Sequence, residues 1–296
     1  MRILITGGTG SLGTALVNHW HTQHELRIFS RNPHKQSGLA KQFGLSSDNF
    51  ILGDICDPAL MRRACAGCDV LIHAAALKVV ADGERNPEEY MRVNAYGSQV
   101  VARAWADVNP DNDKAILINS DKAVAPINHY GITKAMAEAI FISHGFSSLR
   151  YGNVVASEGS FIHKWNQLVK ERKPVEIRKP YPTRFFVPFA KAIQMVEDVL
   201  VQEKPGIFVP HDLVAFSLKA VADYLTEFVI ETDLEPGEKQ HEILIDEGEM
   251  VYIYGNIAKV VKSRFKTKAA GMGDSISSKG AKQIDAARLL ELLANE

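Results

Sequence analysis

The sequence predicts an α/β fold in which a doubly wound parallel sheet is covered by helices. Its first residues combine a short apolar strand, a glycine-rich run and an apolar helical pattern. Further strand-like runs alternate with helix-like stretches over residues 1–151, and helical crossovers of this kind join parallel strands. The chain has 296 residues, of which 46% are hydrophobic, so it can bury a sizeable core.

The first strand, residues 2–6, runs directly into a glycine-rich segment that starts the first helix. The segment satisfies both G-x-G-x-x-G and G-x-x-G-x-x-G. Glycines allow the backbone to approach a pyrophosphate, and the helix N-terminus supplies amide donors and a positive dipole. Between a strand and a helix, the motif predicts a dinucleotide site with these contact residues: Gly7, Thr9, Gly10, Ser11, Leu12 and Gly13.

The second strand, residues 26–30, ends without the acidic residue that would hold the adenosine ribose hydroxyls and repel a 2′-phosphate. Ser30 and Arg31 stand there instead, and Lys35 follows nearby. A hydroxyl and a guanidinium suit a phosphate. We therefore expect NADP as the cofactor, with NAD and a solvated Arg31 as the alternative.

The remaining strands of the sheet are predicted at residues 50–52, 70–74, 115–119 and 149–151. Functional residues should cluster where parallel strands end. Asp54, followed by Ile55, comes after the third strand and is placed to contact the adenine amino group. The fourth strand ends in small residues that let the cofactor pass close by, namely Ala74, Ala75 and Ala76.

The fifth strand leads into Ser120-Asp121-Lys122, and Tyr130 and Lys134 follow with Y-x-x-x-K spacing. A tyrosine four residues before a lysine lies one helical turn away on the same face. The ammonium can then stabilise the phenolate, so we expect the pKa of Tyr130 to lie well below its ordinary value of about 10. Ser120 completes a hydroxyl, tyrosine and lysine set for proton transfer beside a nicotinamide. Asp121 and Lys122 exceed what an oxidation needs and suggest a second chemical event.

Composition argues against several other classes of protein. The net charge is −1 and no basic strip interleaved with aromatic residues occurs, so nucleic acid is not an expected partner. No apolar run has the roughly 18 residues of a membrane span and the N-terminus reads as a strand, so we expect a cytoplasmic protein away from membranes. Cys65 and Cys68 form a C-x-x-C without the second pair of a zinc site, so we interpret them as structural and expect no metal.

The pattern changes after Arg150, where glycine, proline and aromatic residues interrupt the alternation. Helical patterns return at residues 189–202 and 218–230, and a C-terminal helix is predicted at residues 281–294. We therefore predict a dinucleotide-binding part over residues 1–152, with a returning segment near 185–205. A smaller substrate-binding part is predicted over residues 153–184 and 206–296, with the cleft between the two parts.

The glycine motif, Tyr130-x-x-x-Lys134 and the chain length resemble those of the extended short-chain dehydrogenase/reductases that act on nucleotide sugars, which carry a Rossmann domain. Within that family, the chain through residue 245 is similar to the inverting UDP-N-acetylglucosamine 4,6-dehydratases that open the pseudaminic acid pathway. The Asp121-Lys122 pair is the specific part, because sugar epimerases lack it. The similar stretches are residues 73–78, 120–124, 126–128, 130–134, 150–155, 183–185, 236–239 and 241–242.

The resemblance implies a lyase that oxidises C4 of the sugar, removes water across C5 and C6, and returns hydride to C6. Tyr130 would take the proton of the C4 hydroxyl, with Ser120 and Lys134 orienting and tuning it. The C4 ketone acidifies C5, and Lys122 would remove that proton if burial and the nearby Lys134 lower its pKa enough to make it neutral. Asp121, if protonated, would donate to the departing C6 hydroxyl. Reprotonation of C5 from the opposite face would invert it.

The same resemblance implies a UDP-sugar site. Asn153 would lie at the diphosphate or the sugar, and Lys78 would line the sugar site. Three residues would help to hold the nucleotide: Arg184, Glu238 and Glu242. A surface ion pair for Arg184 and a helix cap or solvated charge for Glu242 are the alternatives.

The chain departs from the family pattern at Glu158 and Glu235, both of which stand where an arginine is common. Two such exchanges near an anionic substrate would weaken binding if both contacts are made. The reaction class is therefore a firmer expectation than the sugar, the nucleotide or the configuration at C5.

Two other functions remain open. A nucleotide-sugar 4-epimerase would use the same hydroxyl, tyrosine and lysine and leave the Asp-Lys pair idle. A non-catalytic NADP-binding regulatory protein on the same fold would be expected to have lost Tyr130 or Lys134, and both are present. Helices near residues 87–106 and 132–143 form a dimer face in this superfamily, so the resemblance implies a homo-oligomer, either a dimer or a larger assembly.

Overall fold

In the computed structural model, the chain folds around a nine-stranded sheet. The structure describes residues 1–154, 161–210, 212–247, 249–254, 257–262 and 276–294. The strands are β1 (Arg2–Thr6), β2 (Glu25–Ser30), β3 (Phe50–Leu52), β4 (Val70–His73), β5 (Ala115–Ser120), β6 (Ser147–Tyr151), β7 (Asn153–Val154), β8 (Val175–Lys179), β9 (Thr183–Val187), β10 (Ile207–Pro210), β11 (Val214–Ser217), β12 (Val229–Asp233), β13 (Ile243–Ile245), β14 (Glu249–Tyr254), β15 (Ile257–Lys262), β16 (Ile276–Ser277) and β17 (Lys282–Gln283).

The helices are α1 (Ser11–Trp20), α2 (Pro33–Phe43), α3 (Pro58–Cys65), α4 (Val80–Arg85), α5 (Pro87–Tyr90), α6 (Gly97–Val108), α7 (His129–Ser143), α8 (Phe161–Lys170), α9 (Phe189–Leu200), α10 (Leu218–Leu225) and α11 (Ala286–Ala294). A π-helical turn, Met91–Tyr96, joins α5 to α6, and short 3-10 turns span Ser47–Asn49 and Asp121–Ala123. Among the described residues, no helix combines the length and the apolar character that crossing a membrane requires.

The large sheet has the strand order β14-β15-β10-β6-β5-β4-β1-β2-β3. From β10 to β3 all neighbouring strands are parallel, whereas β14 and β15 form an antiparallel edge. The strand order reverses beside β1, which lies between β2 and β4, and such a switch point leaves a crevice at the carboxyl ends of the strands. The predicted doubly wound parallel sheet is confirmed, and the glycine motif lies at this crevice.

The sheet is buried on both faces, as parallel strands require. In β1, Ile3 and Ile5 pack on one face and Leu4 packs on the other, because side chains alternate along a strand. The first face is covered by α1 and α9, where Leu16 of α1 is fully buried. The second face is covered by α3, α6 and α7, where Trp105 of α6 is fully buried.

His73 is buried at the end of β4 between two hydroxyl groups. Its Nδ1 lies 2.6 Å from Thr6 Oγ1, and its Nε2 lies 3.0 Å from Ser98 Oγ. The imidazole ring stacks on Phe141 with the ring centroids 5.5 Å apart. Burial, aided by the charge of Lys134, lowers the pKa of His73 to about 3, so the folded protein holds this imidazole in its neutral form.

We expect mild acid to destabilise the protein through His73. Below about pH 6.5 the unfolded chain binds a proton on this side chain, whereas the folded protein binds it only near pH 3, so the free energy of unfolding falls across that window. Between pH 7.5 and 5.5 the loss from this group should be about 1 kcal/mol. Urea unfolding at the two pH values measures it. His73→Asn should reduce the change in the free energy of unfolding between the two pH values, whereas the exposed His34→Asn should not. An equal change in wild type and His73→Asn would show that His73 is not the group responsible.

The residues after β6 also build a smaller part. It contains a four-stranded sheet in the order β17-β11-β9-β7 and the strand pairs β12-β8 and β13-β16. Helices α8, α10 and α11 pack with these strands around a separate apolar cluster that includes Trp165, Phe216 and Leu289.

Two predicted helices are shorter than expected, because strand pairing uses part of their sequence. Helix α10 ends at Leu225, and β12 then pairs in parallel with β8. Helix α11 starts at Ala286, because β17 pairs with β11 before it. Strands β10, β14 and β15 join the large sheet, although the predicted division placed residues 206–296 mainly in the smaller part. The division into a dinucleotide-binding and a substrate-binding part stays a prediction.

Candidate active site

Two adjoining cavities lie at the carboxyl edge of the large sheet, where the loops after β1, β4 and β5 face residues of the smaller part. Their volumes are about 620 and about 310 Å³, and both are lined by Gly7, Gly10, Ala74 and Ala76. Every residue that the sequence analysis assigned to catalysis, cofactor or substrate lines at least one of them. The structure therefore brings all of these candidates together, and the roles assigned to them stay predictions.

The glycine motif forms the wall between the two cavities and leaves no room for side chains. Gly7 has a φ of +70°, and a Cβ there would lie 2.7 Å from the backbone nitrogen of Ala75. A Cβ at Gly13 would lie 2.5 Å from the carbonyl oxygen of Gly7. Helix α1 starts after Gly10 with no side-chain cap and no acidic residue in its first turn. Its N-terminus therefore fits the diphosphate of a dinucleotide.

The smaller cavity holds the residues predicted for the adenosine end of the cofactor. Ser30 Oγ accepts a hydrogen bond of 3.0 Å from Gln36 Nε2, while Arg31 is exposed. Asp54 Oδ2 lies 3.0 Å from Arg92 Nη1, a partner that the sequence analysis did not identify. The other predicted residues that line this cavity are Thr9, Lys35, Ile55 and Ala75. The contacts of Asp54 with adenine and of Arg31 with a 2′-phosphate stay predictions.

Tyr130 and Lys134 lie in the first turns of α7, where Asn128 caps the helix by accepting a hydrogen bond of 2.7 Å from Gly131 N. Tyr130 is 8% exposed and Lys134 is 4% exposed. Lys134 Nζ donates a hydrogen bond of 2.8 Å to the carbonyl oxygen of Ile118. Burial lowers the pKa of Lys134 to about 8, although the nearby carboxylate of Glu138 opposes this effect.

The expectation that the pKa of Tyr130 lies well below its ordinary value is wrong in this structure. Burial raises it, and this effect exceeds the opposite influences of the Lys122 charge and of the Ser120 hydroxyl. The spacing correctly places Tyr130 and Lys134 one turn apart. It could not show that the Lys134 ammonium donates to a backbone carbonyl or how completely the phenol is buried.

Lys122 lies between two buried carboxylates. Its Nζ is 3.2 Å from Asp121 Oδ1 and 2.9 Å from Glu242 Oε1. Asp121 is 0% exposed and Glu242 is 2% exposed. Ser120 Oγ donates a hydrogen bond of 2.9 Å to Asp121 Oδ1. The same hydroxyl lies beside Tyr130, so it connects Asp121 to the tyrosine. Because Glu242 comes from the smaller part, this arrangement joins both parts of the chain at one point.

The three charges shift one another's pKa values. Burial, together with the charge of Glu242, raises the pKa of Asp121, in the direction that the proposed acid requires. The pKa of Glu242 is lowered, because Lys122 and Arg184 outweigh the effect of its burial. The prediction of a lowered pKa for Lys122 is wrong: burial does favour the neutral amine, but Asp121 and Glu242 stabilise the ammonium more strongly and raise its pKa.

The remaining substrate candidates, among them Lys78, line the larger cavity. Asn153 Oδ1 is buried without a hydrogen-bond partner among the described residues. Arg184 Nη1 donates to the carbonyl oxygens of Thr183 and Gln240 at 2.9 and 3.2 Å, and its Nε lies 3.8 Å from Glu242 Oε1. Arg184 is thus engaged with protein groups as well as facing the cavity.

Arg178 explains how the chain accommodates one departure from the family pattern. Its guanidinium contacts the carboxylate of Glu235 and lies 3.4 Å from Glu238 Oε2. The charge of Glu235 is therefore balanced within the protein, and Glu238 is paired as well. The other departure, Glu158, lies outside the described residues.

Two contacts near the site were missed. Asn128 Nδ2 donates a hydrogen bond of 2.8 Å to the carbonyl oxygen of Gly237, and Lys239 Nζ donates one of 2.6 Å to that of Val124. They attach the segment before Glu242 to the loop before Tyr130. An asparagine at a helix start is a recognisable N-cap signal, so the capping role of Asn128 could have been predicted. No sequence pattern indicates the contact of Lys239.

The chain matches the family described as Polysaccharide biosynthesis protein over residues 3–261. It is 32% identical to a UDP-N-acetylglucosamine 4,6-dehydratase (inverting) of Campylobacter jejuni subsp. jejuni serotype O:2, over 86% of this chain and 80% of the relative. It is equally 32% identical to a UDP-glucose 4-epimerase of Rickettsia bellii, over 84% of this chain and 78% of that relative.

Solved structures share the fold. The X-ray structure of Pen from Bacillus thuringiensis matches with a TM-score of 0.88 and 27% identity, over 100% of this chain and 98% of that chain. DesIV, a dTDP-glucose 4,6-dehydratase from Streptomyces venezuelae solved with NAD and TYD bound, matches with a TM-score of 0.69 and 15% identity, over 81% of this chain and 87% of that chain. The chain belongs to the extended short-chain dehydrogenase/reductases of polysaccharide biosynthesis, a family of nucleotide-sugar 4,6-dehydratases and 4-epimerases.

Proposed function

We propose that this protein is a UDP-N-acetylglucosamine 4,6-dehydratase that inverts C5 and uses NADP. The observation that carries the proposal is the buried contact of Lys122 with Asp121 and Glu242 in the cavity that also contains Tyr130. Oxidation and reduction at C4 need only the side chains of Ser120, Tyr130 and Lys134. An elimination needs a further acid and a further base, and a carboxyl beside an amine supplies both.

The first chemical event is at C4. When bound, the nicotinamide dinucleotide accepts a hydride from C4 and later returns it to C6. Tyr130 takes the proton of the C4 hydroxyl as a phenolate and becomes a phenol, and the nearby charge of Lys122 favours the phenolate that starts the step. Ser120 accepts a hydrogen bond of 3.2 Å from Lys122 N and donates to Asp121, so its hydroxyl has a fixed position beside the tyrosine.

The second event is the loss of water. The C4 ketone acidifies C5, and Lys122 removes the C5 proton once its own amine is neutral. Burial and the charge of Glu242 raise the pKa of Asp121, which favours the protonated form that donates to the departing C6 hydroxyl. A proton delivered to C5 from the face opposite Lys122 inverts the centre.

A 4-epimerase is the second candidate, favoured by the relatives of that name at equal identity. The two activities differ in the mass of the product. Incubation with UDP-N-acetylglucosamine followed by mass spectrometry should show a sugar nucleotide that has lost one water. Conversion to UDP-N-acetylgalactosamine without a change in mass would establish the epimerase instead.

We expect Arg31 to select NADP. Arg31→Ala should weaken NADP binding by roughly tenfold, because a charge-assisted contact with the 2′-phosphate is lost, and should leave NAD binding unchanged. Titration of both cofactors by protein fluorescence measures this, with the exposed Arg62→Ala as the matched control. If wild type binds NAD as tightly as NADP and Arg31→Ala weakens neither, the preference is wrong.

The proposal includes a homo-oligomer in the cytoplasm that binds a UDP-sugar. Support for association comes from large apolar side chains exposed on the segments that the resemblance names. The exposed fractions are 60% for Met91, 47% for Tyr96, 49% for Ile132 and 54% for Met136.

A further inference from the structure

The mechanism leaves one proton without an acceptor. Lys122 must be neutral before it can take the C5 proton, yet its ammonium is stabilised by the carboxylates that contact it. Asp121 is the first possible acceptor, at 3.2 Å. It has to keep a proton of its own, because it donates that proton to the C6 hydroxyl. The other group in contact with Lys122 Nζ is Glu242, at 2.9 Å.

Glu242 is held so that its carboxylate faces Lys122. Its backbone N–H donates a hydrogen bond of 2.9 Å to Ser278 Oγ, and its carbonyl oxygen accepts one of 2.8 Å from Ser278 N. Ser278 Oγ in turn lies 2.8 Å from Thr183 Oγ1. Glu242 Oε2 is buried without a hydrogen-bond partner among the described residues, so Lys122 meets this carboxylate through Oε1.

The charged and titratable groups around Glu242 come from several elements. Asp121 and Lys122 follow β5, Arg184 lies on β9, and Lys239 precedes β13. Tyr130 on α7 also senses the charge of Glu242. The cations Lys122, Arg184 and Lys239 lower the pKa of Glu242, whereas burial raises that of Asp121, so of the two acids Glu242 is the one that favours the carboxylate.

We propose that Glu242 is the proton acceptor that makes Lys122 neutral for the elimination, an inference that rests on the proposed dehydratase function. The Nζ–H bond of Lys122 breaks and an O–H bond forms on Glu242 Oε1. The neutral amine then takes the C5 proton, and the electron pair of the C5–H bond forms the C5–C6 double bond. The C6–O bond breaks as Asp121 gives its proton to the oxygen, which leaves as water.

The proton balance closes with groups in the same cavity. Glu242 releases its proton to the water of the cavity, and C5 is reprotonated from that water at the other face. Asp121 regains a proton from Tyr130 through the Ser120 hydroxyl, which donates to Asp121 Oδ1. At the end Lys122 is again an ammonium and Glu242 is again a carboxylate.

The test is Glu242→Gln, assayed by exchange of the C5 hydrogen for deuterium in deuterated water. The amide can accept a hydrogen bond from Lys122 but not its proton. Exchange should slow by about a hundredfold near neutral pH and recover as pH rises, because Lys122 then loses its proton to solvent. Formation of the reduced cofactor, measured at saturating substrate, should persist, since Ser120, Tyr130 and Lys134 remain in place. Glu242→Asp, which keeps the carboxylate on a shorter chain, should retain more exchange than Glu242→Gln.

Glu249→Gln is the matched control, because it also removes a buried carboxylate from an ion pair, 2.8 Å from Arg150 Nη1, outside the residues that line the cavity. It should reduce stability and leave exchange at the wild-type rate. Exchange by Glu242→Gln within about threefold of wild type would overturn the role of Glu242. A loss of exchange in Glu242→Gln that high pH does not restore would also overturn this role. Failure of the wild type to form any dehydrated product would instead refute the proposed function.

Discussion

Tyr130→Phe should lower the rate of product formation by about a thousandfold, because the phenol that accepts the proton of the C4 hydroxyl in the proposed mechanism is lost. Cofactor binding should persist, since the diphosphate site is formed by the glycine motif and α1 rather than by the phenol. Product formation is followed by chromatography of the sugar nucleotides, and cofactor affinity by fluorescence titration.

Tyr90→Phe provides a matched control for this prediction. The ring of Tyr90 packs edge-on against Tyr130 with centroids 6.4 Å apart, and its hydroxyl donates to the carbonyl oxygen of Val79 at 2.5 Å. Removing that hydroxyl should cost about 1 kcal/mol of stability and leave turnover within a few-fold of wild type. Full activity of Tyr130→Phe with the nucleotide sugar would show that another group carries out the proton transfer.

Lys122→Arg should abolish the elimination and leave the oxidation at C4. A guanidinium keeps the positive charge between Asp121 and Glu242, so the fold should be retained, but it does not lose a proton in proteins. We expect dehydrated product to fall by at least about a thousandfold, whereas reduced cofactor still forms when substrate is added. Absorbance of the reduced cofactor and mass spectrometry of the sugar nucleotide distinguish the two steps.

Lys122→Met separates the chemical role of Lys122 from its role as a counter-charge. It leaves the buried side chains of Asp121 and Glu242 without their shared cation, which should cost about 3 kcal/mol of stability or more. Thermal unfolding of the two variants should therefore differ strongly although both fail to eliminate water. If Lys122→Arg dehydrates the sugar at the wild-type rate, the assignment of Lys122 as the base is wrong.

Local patterns were sufficient to predict six of the nine strands of the large sheet and the part of the cavity lining that follows those strands. The glycine motif could be placed because three glycines between a strand and a helix determine where the backbone must approach a ligand. Tyr130 and Lys134 could be paired because four residues make one helical turn. In both cases the residues that interact are close in sequence, so their relative positions can be predicted from their spacing alone.

Charges that meet from distant parts of the chain could not be predicted in this way. Glu242 reaches Lys122 only because the smaller part folds over the carboxyl edge of the sheet, and the charge of Asp121 together with this contact reverses the expected pKa shift of Lys122. The pairing of Glu235 with Arg178 also joins residues that are far apart in the sequence. Helix α10 ends early for a related reason, because the following residues find a strand partner in β8.

Proton NMR of the wild-type protein with UDP-N-acetylglucosamine in deuterated water tests the central claim most directly. The account predicts a new C6 methyl signal, deuterium at C5 and a 4-keto product with the L-arabino configuration. A methyl signal with unchanged configuration at C5 would retain dehydration but contradict inversion. UDP-N-acetylgalactosamine without any methyl signal would contradict the dehydratase and leave Asp121 and Lys122 without their proposed role.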